Sequence, residues 1–247
     1  MTSLSTISIL IPVYNGVEFL EESLKSVFYQ TYKNWEVIIG INGIPRNSPI
    51  IDIIDTIVNL MFENYEFKNK DDSPRRKVRI IYYETKGKPA TLNKMILDCS
   101  PSSSYISILD VDDYWLPKKL EKQIPFLDLF DVVGTKCQYF GGLSNSPNIP
   151  TGNLSNYDFF INGNPIINSS ALIRKEDAYW NENEYLEDYD LWLQLSKKKK
   201  KFFNINEILV MHRIHPDSYF NSNKEKGEEE LKKFKEKWSK IYYNNYH

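Results

Sequence analysis

Residues Ile106 to Pro117 read ISILDVDDYWLP, an apolar run that breaks into Asp110, Asp112 and Asp113 and then into aromatics. A short apolar run ending in carboxylates reads as a buried strand emptying into a cleft. In an open α/β sheet, ligands bind outside the carboxyl ends of the strands. Acids at that point are therefore placed to hold a hard cation against a phosphate-bearing substrate. If the backbone stays extended, Asp110 and Asp112 share one face while Val111 and Asp113 point away. The same residues also read as an Asp-rich turn capping a helix that starts near Pro117.

The rest of the first half alternates strand and helix signals. Ile7 to Val13 is a continuous apolar strand, and Asn15 with Glu18 three residues on predicts a capping box for a helix presenting Leu20, Leu24, Val27 and Phe28. Trp35 to Ile41 is a second buried strand. Ser48 and Pro49 start a helix carrying Ile50, Ile53, Ile54, Ile57 and Leu60. Lys68 to Lys77 predicts an exposed loop. Val78 to Tyr83 then reads as strand, Pro89 to Cys99 as helix, Tyr105 to Asp110 as strand, and Pro117 to Phe130 as a helix disturbed at Pro125. This alternation predicts a mostly parallel sheet. Beyond Asp131 the pattern loosens, and loops and short elements are expected to build the second wall of a cleft. A helix over Glu187 to Lys197, a strand over Phe202 to Met211 and a tail helix over Lys224 to Tyr242 complete the chain.

Composition removes several classes. A chain of 247 residues, 41% hydrophobic, can bury a full core, and 31 basic against 33 acidic side chains give no sign of a nucleic-acid binder. The run Lys197 to Lys201 reads as a solvated helix end. Two cysteines without a CxxC motif argue for a reducing compartment. The N-terminal apolar run is too short to span a bilayer and lacks a basic flank, so no transmembrane segment is expected and the location is expected to be cytoplasmic.

Five segments, SILIPVYNG (Ser8 to Gly16), LDVDDYWLP (Leu109 to Pro117), NSSALIR (Asn168 to Arg174), EDYDLWLQL (Glu187 to Leu195) and HRIHPDS (His212 to Ser218), together resemble family 2 glycosyltransferases of the GT-A fold. The resemblance spans roughly residues 5 to 220. It implies a single GT-A domain, α/β with a Rossmann-like, mostly parallel sheet flanked by helices. About residues 1–133 form its nucleotide-binding half, 134–220 its acceptor half and 221–247 a helical tail. It also implies transfer of a sugar with inversion from a nucleotide diphosphate donor, expected to be a UDP-sugar, to a hydroxyl of a glycan or other acceptor, with Mn²⁺ or Mg²⁺.

Carried over residue by residue, the resemblance assigns Pro12, Val13 and Tyr14 to the nucleobase and Asp110, Val111 and Asp112 to the donor. Asp112, Asp110 and His215 go to the metal, and Asp188 becomes the general base. Two departures stand out. Where the family commonly carries paired acids after the second strand, this chain has Gly40, Ile41, Asn42 and Gly43, leaving Asn42 to meet the base. Before Asn93, where the family places a cation, Lys88 is preferred to Lys86 as the group facing the diphosphate, and Asn93 itself is expected to anchor loop backbone. Helical phase puts Asp188 on one face with Leu191, Trp192 and Leu195, toward the cleft. Asp190, roughly 200° further round, is expected in solvent.

Rival classes fit less well. An aspartyl-phosphate phosphatase would carry its DxD near the N-terminus, and a nucleotidyltransferase would show a Gly-rich loop at the first strand, which PVYNGVE is not. A non-catalytic nucleotide-sugar or glycan binding module of the same fold is the alternative that the altered Gly40 to Gly43 segment favours.

Overall fold

Strands β1 (Thr6–Val13) and β2 (Trp35–Asn42) form where apolar side chains run almost unbroken, and both are covered on both faces. They pair in parallel, with Ile9 opposite Val37 and Val13 opposite Ile41. On one side β3 (Val78–Tyr83) adds parallel to β2, and on the other β4 (Ser103–Ile108) adds parallel to β1. Parallel neighbours need crossover connections. Helices α1 (Leu20–Phe28), α2 (Pro49–Glu66) and α3 (Lys88–Leu97) lie between these strands in the chain. The computed structural model describes residues 6–66, 78–142, 144–154, 156, 158–215 and 224–246, so the loop expected over Lys68 to Lys77 lies outside the described residues.

The second half comprises β5 (Tyr114–Trp115), α4 (Lys119–Gln123), β6 (Val132–Gly141), β7 (Gly152–Asn153), α5 (Asp158–Asn162), β8 (Leu172–Arg174), α6 (Glu187–Lys197), β9 (Phe202–Ile214) and α7 (Lys224–Tyr246). One sheet runs in the order β3-β2-β1-β4-β8-β6-β9-β5, with β7 on β9. Three-residue β8 runs antiparallel to both β4 and β6, while β9 runs parallel to β6.

Alternation along β1 feeds two cores. Ile7, Ile9, Ile11 and Val13 pack with Leu20, Leu24 and Val27 of α1 and with Ile54, Val58 and Phe62 of α2. Leu10 points the other way, into a core shared by Leu92 and Met95 of α3, Leu191 and Trp192 of α6, and Phe234 and Trp238 of α7. Each fully buried residue of this size stabilises the fold by about 1.5–3 kcal/mol, which fixes strand register and places the carboxyl ends of β1, β2 and β4 along one edge.

Local details differ from expectation for physical reasons. The Asn15 box does not form. Gly16, in the left-handed region at φ 73°, leads into a 3-10 turn over Val17–Phe19 before α1, and no side chain caps it. A Cβ at Gly16 would lie 3.1 Å from Val111 Cγ1, so the glycine also admits the acid loop close to the chain. Ile50, Ile53 and Leu60 lie on the open side of α2. The helix expected over Pro117 to Phe130 is α4 followed by a 3-10 turn at Ile124–Phe126, since Pro125 lacks the amide that would continue it. At the end of α6, Lys199 takes φ 59°, and the amides of Lys199 and Lys200 bond back to Ser196 O and Leu195 O at 2.8 and 3.0 Å. The basic run thus closes the helix in a Schellman turn. Among the described residues no helix is long and apolar enough to cross a membrane.

Candidate active site

Four parallel strands deliver their carboxyl ends to one edge, and the predicted site residues gather there. After β1, Tyr14 leaves the sheet 64% exposed. Its ring covers Gly43, just past β2: a Cβ there would lie 2.6 Å from Tyr14 Cε2, and Gly43 has φ +69°. Tyr14 is therefore a surface platform, not a core aromatic. Pro12 and Val13 lie within β1 beside Gly40 and Ile41, and Asn42 ends β2 only 2% exposed.

After β4 the chain turns instead of staying extended, with Asp113 N bonded to Asp110 O at 3.0 Å. That turn gives the acids different fates. Asp110 receives Lys88 Nζ at 2.6 Å, and Asn168 Nδ2 reaches its two carboxylate oxygens at 3.1 and 3.3 Å. Its own amide donates to Ser169 Oγ at 3.1 Å. Val111 turns inward at 8% exposure, and Asp113 is buried at 1%. Asp112 pairs with His215, its Oδ2 lying 3.0 Å from Nε2.

Strand β9 makes these meetings possible. Tyr114 pairs with Met211 and Trp115 with Val210, so the acid loop is tied directly to the strand end that carries His212, Arg213 and His215. The Asp113 carboxylate accepts from Arg213 N and from His212 Nδ1, both at 2.9 Å. The Arg213 guanidinium lies between the rings of Phe19 and Phe140, 4.4 and 4.3 Å from their centroids. From there its Nε donates to Asp112 O at 3.0 Å, and it pairs with Glu22.

A cleft of about 210 Å³ opens beside Asp110, lined also by Lys88, Asn164, Ile167, Asn168, Ser169, Glu187, Asp188 and His212. Lys88 starts α3 and Asp188 lies in the first turn of α6. Lys88 and Asp188 thus share the cleft as expected, Lys86 is exposed, and Asn93 holds the Trp180 backbone through paired bonds of 2.9 Å. Asp190 differs from expectation. It is 1% exposed, because Trp238 Nε1 of α7 donates to it at 3.0 Å and Gln194 also bonds to it, so a second helix covers the face that phase alone left open.

The electrostatics are uneven. Burial opposes the Lys88 charge, but Asp110 and Glu187 outweigh it and hold its pKa above the usual lysine range. Asp110 is lowered in turn, burial being overcome by Lys88 and the Asn168 hydrogen bond. Asp112 is raised, first by burial and then by Asp113 and Asp110. Asp188 is pushed up to about 6 by burial and by Glu187, against Lys88 and the Tyr189 amide. His212 rises to about 9, because Asp113 outweighs its burial.

Among the described residues no group of three His, Cys, Asp or Glu side chains is gathered to hold a metal. Asp112 and His215 nevertheless offer a carboxylate oxygen and an imidazole nitrogen side by side, and the acids crowded at Asp112 favour a positive neighbour. This donor pair fits a divalent cation that completes its shell with phosphate oxygens. Sequence reasoning missed Asn164, Glu187, His212 and Ser169 as cleft residues. Asn168 and Ser169 lay within NSSALIR, but only the partners of Asp110 reveal their role.

The family model for glycosyl transferase family 2 matches residues 8–189. An uncharacterized glycosyltransferase of Rickettsia prowazekii is 27% identical over 249 residues, 94% of this chain and 70% of that protein. The Escherichia coli UDP-Glc:alpha-D-GlcNAc-diphosphoundecaprenol beta-1,3-glucosyltransferase WfaP is 27% identical over 220 residues, 86% and 78% of the two chains. Among solved structures, S. aureus TarS 1–349 in complex with UDP superposes with a TM-score of 0.64 at 15% identity, over 87% of this chain and 62% of that one. The mannosyltransferase PcManGT of Pyrobaculum calidifontis, in complex with GDP-Man and Mn²⁺, gives 0.64 at 14%, over 90% and 61%. The chain therefore spans about six tenths of the length of these structures. The fold, a curled and mostly parallel sheet flanked by helices, matches GT-A glycosyltransferase structures, and with the family model covering most of its length, the chain belongs to glycosyl transferase family 2.

Proposed function

We propose that the protein is a single GT-A unit that transfers a sugar, with inversion, from a UDP-sugar to an acceptor hydroxyl. The observation that carries this reading is the cleft in which the Lys88–Asp110 pair and Asp188 project from different elements of the fold. The solved complexes of TarS with UDP and with UDP-GlcNAc support a uracil donor, and the GDP-Man complex of PcManGT keeps GDP as the competitor to exclude.

In this reading Tyr14 lies under the base, and Lys88 contributes positive charge toward the diphosphate. Asp112 and His215, with Asp110 nearby, would hold Mn²⁺ or Mg²⁺, whose charge would stabilise the departing diphosphate. Asp188 receives the proton of the acceptor hydroxyl as its oxygen bonds to the anomeric carbon and the bond from that carbon to the diphosphate oxygen breaks. A carboxyl pushed to about 6 is suited to this, being largely ionised at neutral pH yet more basic than an ordinary aspartate. The test is a panel of UDP-, GDP- and dTDP-sugars with Mn²⁺ or Mg²⁺, scored for nucleotide release. Release from a UDP-sugar supports the reading; release from GDP-sugars alone overturns the base assignment, and release from none overturns the enzyme.

A further inference from the structure

Lys119 has 0% exposure, yet the three partners of its ammonium are all uncharged. Nζ donates to Ser107 Oγ at 3.1 Å and to Gln123 Oε1 at 2.9 Å, and stands 3.8 Å from the centroid of the Trp115 ring. Two acceptors and a π-face match the three protons of an ammonium. Burial alone pushes its pKa well below the ordinary lysine value. A buried cation without an acid is costly, and an apolar side chain of the same volume is often neutral or stabilising at such a place. Packing therefore does not explain the lysine.

Its partners do. Trp115 Nε1 donates to Ser169 O at 2.7 Å, Gln123 Nε2 to Ser170 O at 2.8 Å, and Ser107 Oγ to Ala171 O at 2.6 Å. Each group that Lys119 touches thus grips one of three consecutive carbonyls, and the same turn brings Asn168 and Ser169 onto Asp110. By donating to Ser107 Oγ and Gln123 Oε1, Lys119 Nζ takes up their acceptor side and leaves the hydroxyl proton and the amide NH₂ for the turn. We infer that Lys119 is a positioning residue, which sets the turn at residues 168–171 and through it the Asp110 carboxylate that faces the donor. This rests on the proposed function.

The test compares Lys119→Met with Trp115→Phe, which keeps an aromatic ring beside Lys119 and removes the bond to Ser169 along with part of the buried indole. Titrations use UDP and GDP, each with and without Mn²⁺. Both variants should weaken metal-dependent nucleotide binding by about tenfold, the scale for outer partners of a metal site, and leave metal-free binding unchanged. In an Asp110→Asn background Lys119→Met should cost nothing further, whereas a merely structural lysine would cost the same in both backgrounds. If the wild type shows no metal-dependent binding of either nucleotide, the proposed function falls and this inference with it. If the wild type binds and both variants bind as tightly, the function stands and the role of Lys119 alone is refuted. Should Lys119→Met not fold, Lys119→Gln takes its place in both backgrounds and is read in the same way.

Discussion

Replacing Asp188 by Asn tests the proposed base most directly. The amide keeps the side chain's size and an acceptor for the Tyr189 amide, which bonds at 2.7 Å, but cannot take up a proton. It also turns an NH₂ toward Asn164 Nδ2, now 2.9 Å from the carboxylate. Removal of a positioned base costs about two to four orders of magnitude in rate. The structure adds a pH signature. With the carboxyl at about 6, roughly nine-tenths of the wild type is competent at pH 7, and below pH 6 the rate should fall about tenfold per pH unit. Asp188→Asn should lack this limb. For stability the sign is reversed. An acid whose folded pKa is raised costs the fold nothing below the unfolded value of 3.8 and its full penalty above about 6, so wild type should lose stability relative to Asp188→Asn across that window. The assay is nucleotide release from a UDP-sugar with Mn²⁺ and water as acceptor, paired with UDP affinity and melting curves from pH 4 to 8. Activity close to wild type in Asp188→Asn, or loss of UDP·Mn²⁺ affinity equal to the loss of rate, would refute the assignment.

Saturation with UDP and Mn²⁺ at a hundred times Kd should stabilise the wild type by about 2.7 kcal/mol in all; followed by thermal shift, Asp112→Asn should abolish the Mn²⁺-dependent part of this and leave the metal-free part intact. Gly43→Ala should weaken UDP binding several-fold by titration calorimetry. The new methyl would meet the Tyr14 ring at 2.6 Å, and a left-handed alanine costs about 1 kcal/mol. Asp190→Asn should lower stability by about 1–3 kcal/mol in denaturant melts, because an amide NH₂ then opposes one of the donors Trp238 and Gln194, while UDP affinity stays unchanged.

What the sequence made legible follows the range of the forces involved. β1 and β2 announce themselves because their largely apolar runs are buried on both faces, and α6 begins and ends where its pattern begins and ends. Asp110 was readable where the β4 pattern ends, whereas Lys88 and Asp188 were reached through the family resemblance, helical phase adding only that Asp188 turns toward the cleft. Asp190 was misplaced because helical phase cannot reveal that Trp238, 48 residues later, returns to cover that face. The turn at Asn168 was invisible for the same reason. Its carbonyls are held by Ser107, Trp115 and Gln123, none of them a sequence neighbour. The capping box failed on a different ground, since Gly16 offered a left-handed entry that Asn15 did not need to cap.

The bonds from Asp113 to His212 and Arg213, and from Asp112 to His215, join residues 99, 100 and 103 positions apart. Contacts so distant must close long loops before they return any free energy, and they form late. On a ribosome the strands β1 to β4 are complete about a hundred residues before β9 emerges, so the acid loop waits with Asp113 unpaired. A nascent chain can therefore build the parallel half of its sheet and still lack the strand that makes the acid loop rigid. Under the proposed function, the groups meant for the metal–nucleotide complex come together as one late event, when β9 docks and brings His212, Arg213 and His215 to the acid loop.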